Sequence, residues 1–131
     1  MTASSNPIGV YATGDMSGER HAQFYREAEQ MGLEAYINKF TGTQITADMV
    51  NQSAQQFGVD PLMIAATMGM DSSMGTKGKG ARNNNPGNVG QFDSLDAQGI
   101  TVKGYATLQE GIDAVSINLA KRQKALGMVS K

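Results

Sequence analysis

The segment Asp60-Pro61-Leu62-Met63-Ile64-Ala65-Ala66 constrains this chain more than any other. Asp60 can cap a helix, and Pro61 suits the first helical position, where its missing N–H leaves no hydrogen bond unmade. The five apolar residues that follow leave the helix no polar face, so it must be central and covered by other elements. The 131 residues are enough to build one such core.

Flanking patterns supply the cover. Ser17 suits an N-cap, and helical spacing runs through Phe24, Ala28 and Met31, then through Leu33, Ile37 and Phe40, with Gly32 as a break and Thr41-Gly42 as a stop. Thr46 can cap a helix that carries Val50, Ala54 and Phe57 on one face and stops at Gly58. Thr107-Leu108-Gln109-Glu110 fits a capping box, followed by the stripe Leu108, Ile112, Val115 and Leu119. Lys121, Arg122 and Lys124 complement the end of that helix before Gly127. Residues 1–16, with Pro7, Gly9 and Gly14, show no period and read as an extended N-terminal arm, leaving 17–131 as a single domain. Gly75 to Gly90 is rich in Gly and Asn and reads as turns, while 89–92 and 100–102 are expected to form a short β-hairpin. The expected class is mainly α (α+β): a helical domain with a small hairpin.

Composition excludes several functions. The formal charge of -1 gives no global field for nucleic acid or an anionic membrane. No run approaches the eighteen apolar residues of a membrane span, and Met1 to Pro7 lacks the basic and apolar regions of a signal peptide. No cofactor motif is present: Gly75-Thr76-Lys77-Gly78-Lys79-Gly80 lacks the spacing of a phosphate loop. Cys is absent and His21 stands alone, so no metal site is expected and His21 reads as a surface residue.

Asp71 is the residue with the clearest chemical potential. It follows the buried helix, at the end where carbonyls lack partners and the macrodipole disfavours a carboxylate. With Met68, Met70 and Met74 nearby, desolvation and the dipole should raise its pKa, as a general acid near neutrality requires. Its other reading is a helix-terminal carboxylate bonded to amides of the following loop. Asn85 and Asn88 offer donors and acceptors suited to sugar hydroxyls and acetamido groups, whereas Asn83 and Asn84 serve either such a groove or the loop itself. Tyr105 offers the groove a ring face or a hydroxyl, or packs half-buried before its helix. Lys77, Lys79 and Arg82 add positive charge that either meets acidic groups or is solvated.

Three ordered motifs across residues 43–126 carry a family resemblance: Asp71-Ser72-Ser73-Met74-Gly75-Thr76, then Arg82-Asn83-Asn84-Asn85-Pro86-Gly87-Asn88, then Tyr105-Ala106-Thr107-Leu108-Gln109-Glu110-Gly111. In this order they resemble the lysozyme-like peptidoglycan glycosidases and lytic transglycosylases of the phage virion-associated kind. The resemblance implies a lysozyme-like fold and cleavage of the glycan backbone of the cell wall by a muramidase, glucosaminidase or transglycosylase. Asp71 would be the catalytic acid, with Ser73, Thr76, Asn85, Asn88 and Tyr105 on the substrate. A second carboxylate, where one is used, would be Asp93 or Asp96. The implied partners are peptidoglycan strands and other virion or tail proteins met through the arm, with action in the periplasm or wall. The chain departs from the family in placing Asp where the acid is Glu, which withdraws the carboxyl by about 1.5 Å, one C–C bond. A misplacement of about 1 Å can cost on the order of a hundredfold in rate. Met74 replaces the usual aromatic residue. The alternative is therefore a weakened or inactive lysozyme-like protein that binds glycan or serves the virion structurally.

Overall fold

The computed structural model describes residues 16–90, 93–99 and 104–126. The elements are α1 (Met16–Met31), α2 (Leu33–Asn38), α3 (Ala47–Phe57), α4 (Pro61–Ser72), α5 (Gly78–Arg82), α6 (Asp93–Ala97) and α7 (Leu108–Ala125). Residues 1–15 of the arm and the end expected at Gly127 lie outside the described residues, while Met16 and Ser17 already belong to α1.

As its composition demands, α4 forms the centre. Asp60 accepts from the amide of Leu62 at 2.8 Å, and Met63, Ile64, Ala65, Ala66 and Met68 are all fully buried. The helix packs against α1, α2, α3 and α7, while α3 also packs along α7. Thr46 and Thr107 cap α3 and α7 through their hydroxyls, which accept from Met49 and Glu110 amides. Glu110 Oε1 accepts from the Ala106 amide, one residue before the cap. Gly58 closes α3 in the left-handed region, at φ 69°.

Three expectations are corrected. In helix α1 the expected spacing holds in part: Ala28 is fully buried and Phe24 packs half-buried against the core, but Met31 is 40% exposed and Ala22 and Tyr25 complete the buried face, with the Tyr25 hydroxyl reaching Asp60 Oδ2 at 2.9 Å. The Gly-rich segment is not all turns, since Gly78–Arg82 closes one short helix. The β-hairpin is not supported: no strand occurs among the described residues, Val89 and Gly90 lie in a turn, and α6 occupies the expected connection. The remainder of the two expected strands, 91–92 and 100–102, lies outside the described residues. The described fold is mainly α.

Candidate functional site

Asp71 occupies the last turn of α4, and the Asn loop clamps that turn. The Ser72 hydroxyl donates to the Pro86 carbonyl at 2.5 Å and accepts from the Gly75 amide at 2.8 Å. Asn88 Nδ2 donates to the backbone carbonyl of Asp71 at 2.8 Å, satisfying an oxygen left over at the helix end. Beyond the clamp Ser73, Met74 and Gly75 are all left-handed, with φ of 49°, 60° and 76°, and turn the chain sharply away. The loop in turn rests on the start of α7. A Cβ on Gly111 would collide with the Asn84 carbonyl, and one on Gly87 with Val115, so both positions need glycine for close approach.

This arrangement opens a cavity of about 190 Å³ around Asp71. Thr67, one turn earlier on the same face of α4, lines it, together with His21 from α1, Asn88 and Val89 from the loop, and Val115, Leu119 and Arg122 from α7. Burial pushes the Asp71 carboxyl up to about 6, while the guanidinium groups of Arg20 and Arg122 pull it the other way. Of the methionines expected to desolvate it, Met68 and Met74 are fully buried in the core and do not line the cavity. Its apolar wall comes from Val115 and Leu119 of α7 instead. An Asp with a raised pKa beside open volume can exist as a neutral acid near pH 6 and give its proton to a bound oxygen.

A second cavity, of about 460 Å³, shares Val89 and Asn118 with the first and is walled by Phe57, Tyr105, Ala114 and Ile117. A third, about 380 Å³, is lined by Thr41, Gln44, Thr76 and Asn84.

The expected site residues are distributed unevenly among these spaces. Asp71 and Asn88 share the first cavity, Tyr105 lines the second and Thr76 the third. Ser73 and Asn85 line none of the three. Asn85 is 2% exposed, and its side chain exchanges two hydrogen bonds with the backbone of Val89, at 2.9 and 3.1 Å. Thr76 donates to the Ser73 carbonyl at 2.8 Å. Asn83 accepts from the Tyr105 amide through its carbonyl, and Asn84 Nδ2 donates to the Tyr105 carbonyl. Met74 packs in the core, so it does not take up a groove position. Asp93 and Asp96 fall in α6, with side chains outside the described residues, as is that of Lys79; Lys77 and Arg82 are exposed.

Sequence reasoning missed His21, Asn118 and Arg122. His21 was expected at the surface, yet it lines the Asp71 cavity and its Nε2 is buried. The last two carried a usable signal: 115, 118, 119 and 122 share one face at helical spacing, and that face holds both the apolar stripe and its polar border.

No family model matches the chain, and neither a curated protein nor a solved structure matches it. Among the described residues no helix is long and apolar enough to cross a membrane, and no three His, Asp or Glu side chains are grouped so as to hold a metal ion.

Proposed function

We propose that this protein cleaves the glycan backbone of peptidoglycan with Asp71 as its general acid. The observation that carries the reading is a carboxyl raised to about 6 by burial, held at the end of a buried helix and opening into a cavity. The resemblance of the motifs around Asp71, the Asn loop and the start of α7 supplies the substrate class. In the proposed reaction the Asp71 proton passes to the glycosidic oxygen as the bond from that oxygen to the anomeric carbon breaks. Water, or a hydroxyl of the same sugar, then attacks the anomeric carbon and returns its proton to Asp71.

The short side chain of Asp71 favours a second reading, a glycan-binding protein whose chemistry is weakened or lost. One assay separates the two: release of soluble muropeptides from purified peptidoglycan by the natural chain, Asp71→Asn and Asp71→Glu. The enzyme reading expects release by the natural chain and none by Asp71→Asn. Faster release by Asp71→Glu would mark Asp71 as a compromised acid, and no release by any of the three would overturn the catalytic reading. Anhydro-sugar ends in the products would identify transglycosylation.

A further inference from the structure

We infer that Asn88 is a positioning residue, which holds the last turn of α4 so that the Asp71 carboxyl faces its cavity, rather than a residue that holds substrate; this rests on the glycan-cleaving reading above. In a continuing helix the Asp71 carbonyl would accept from the amide four residues on, that of Gly75. That amide donates instead to the Ser72 hydroxyl at 2.8 Å, and among the described residues no other backbone amide takes its place. Ser73 and Met74, just beyond, are left-handed, which is costly for any residue but glycine, so the end of α4 has a standing reason to relax. The side-chain amide of Asn88, 2.8 Å from the Asp71 carbonyl, restores the missing bond.

The donor is itself fixed in place. Asn88 is left-handed, at φ 50°, its backbone amide donates to the Asn85 carbonyl at 3.0 Å, and the Asn85 side chain grips the next residue, Val89, by both its amide and its carbonyl. Asn84 ties the other side of the loop to the Tyr105 carbonyl, ahead of α7. Asparagine suits this point on two counts. It tolerates the left-handed region better than most side chains, and it carries an N–H donor that glycine and an ionised Asp lack. The bond falls on the backbone of the acid itself, and a displacement of about 1 Å there can cost on the order of a hundredfold in rate.

The test compares the natural chain with Asn88→Gly, which keeps the left-handed backbone and removes the donor, and with Asn88→Asp, which keeps the shape but donates only when its carboxyl is neutral. In muropeptide release Asn88→Gly should lose about tenfold or more in kcat with KM little altered, whereas loss of a substrate contact would raise KM. Asn88→Asp should be impaired at pH 7, and its deficit against the natural chain should close as pH falls toward about 4, where the introduced carboxyl regains a proton to donate. The added negative charge can only keep Asp71 protonated to higher pH, and His21, Arg20 and Arg122 are the same in all three proteins, so a deficit at pH 7 does not come from an acid that has lost its proton. Carbon NMR of the intact chain gives a readout apart from activity: the Asp71 carboxyl should titrate lower in Asn88→Gly, because a loosened turn lets water reach it. A raised KM with kcat preserved in Asn88→Gly, or a deficit of Asn88→Asp that is the same at every pH, would overturn the positioning role and leave Asp71 standing as the acid. If the natural chain releases nothing, the catalytic reading falls and the Asp71 titration decides: a shift in Asn88→Gly sustains the hold of Asn88 on Asp71, and no shift overturns it.

Discussion

The Asp71 carboxyl gives up hydration on folding, and the two guanidinium groups near it only partly offset that loss. Its folded value of about 6 lies above the ordinary 3.8, so the native state binds this proton more tightly than the unfolded chain does. Between those values stability must therefore fall as pH rises, and above about 6 the full cost of burying the charge remains. At about 1.4 kcal/mol per pH unit, and discounted because the carboxyl still meets solvent, that cost is on the order of 2 kcal/mol. Asp71→Asn keeps the shape and removes the charge. At pH 7.5 it should melt about 6 °C above the natural chain, and the difference should close below pH 4. Thermal unfolding across that pH range checks this, and a variant less stable at pH 7.5 would mean that the carboxylate is better paired than its surroundings indicate. A residue whose charged form weakens the fold fits selection for chemistry more readily than for stability.

At the scale of elements, helix α4 is limited by what can approach it. Gly69 is where α2 comes closest: a Cβ there would run into the Tyr36 hydroxyl and sit 3.2 Å from the Phe40 ring. Tyr36 is fully buried, and its hydroxyl makes no hydrogen bond among the described residues. Gly69→Ala should cost about 2 kcal/mol through overpacking. Tyr36→Phe alone should be nearly neutral, since it deletes a hydroxyl that gains nothing, and it should recover about half of the Gly69→Ala loss in the double variant. Urea titration of the four proteins measures this coupling. The same helices show what the sequence could tell. The starts of α3, α4 and α7 were legible because capping is local: Thr46, Asp60 and Thr107 each bond an amide two or three residues on. The buried face of α1 was legible only in part, through Phe24 and Ala28, because Tyr25 turns inward to meet Asp60, thirty-five residues away. The raised pKa of Asp71 was legible from its place at the end of a buried helix. Asn85 misled for a related reason, since a composition suited to sugars is equally suited to closing a tight loop, and only the fold decides which. The Ser53 and Ser116 hydroxyls, 2.5 Å apart and buried between α3 and α7, belong to the same class of long-range pair that spacing does not reveal.

The cavity around Asp71 draws its wall from four separate stretches of chain: α1, α4, the Asn loop and α7. Its electrostatics are therefore a property of the assembled molecule. Arg20 comes from the first described helix and Arg122 from the last, and both hold the carboxyl below the value that burial alone would impose. In the proposed reaction only the protonated acid donates, so activity should fall as pH rises through about 6. Arg122→Gln removes a cation that favours the charged form. The Asp71 pKa must then rise, and the alkaline limb of the pH–rate profile should move to higher pH. Arg20→Gln should move it in the same direction, and the double variant further than either. Arg122 is exposed, so added salt should screen its contribution and shift the limb of the natural chain upward, with a smaller effect on Arg122→Gln. The measurement is kcat/KM for muropeptide release against pH at low and high ionic strength. A limb that stays in place in both single variants would show that the titrating group is not Asp71, because the Asp71 carboxyl feels both arginines. A limb that moves as described would tie the rate to a proton whose affinity is set jointly by helices at opposite ends of the described chain.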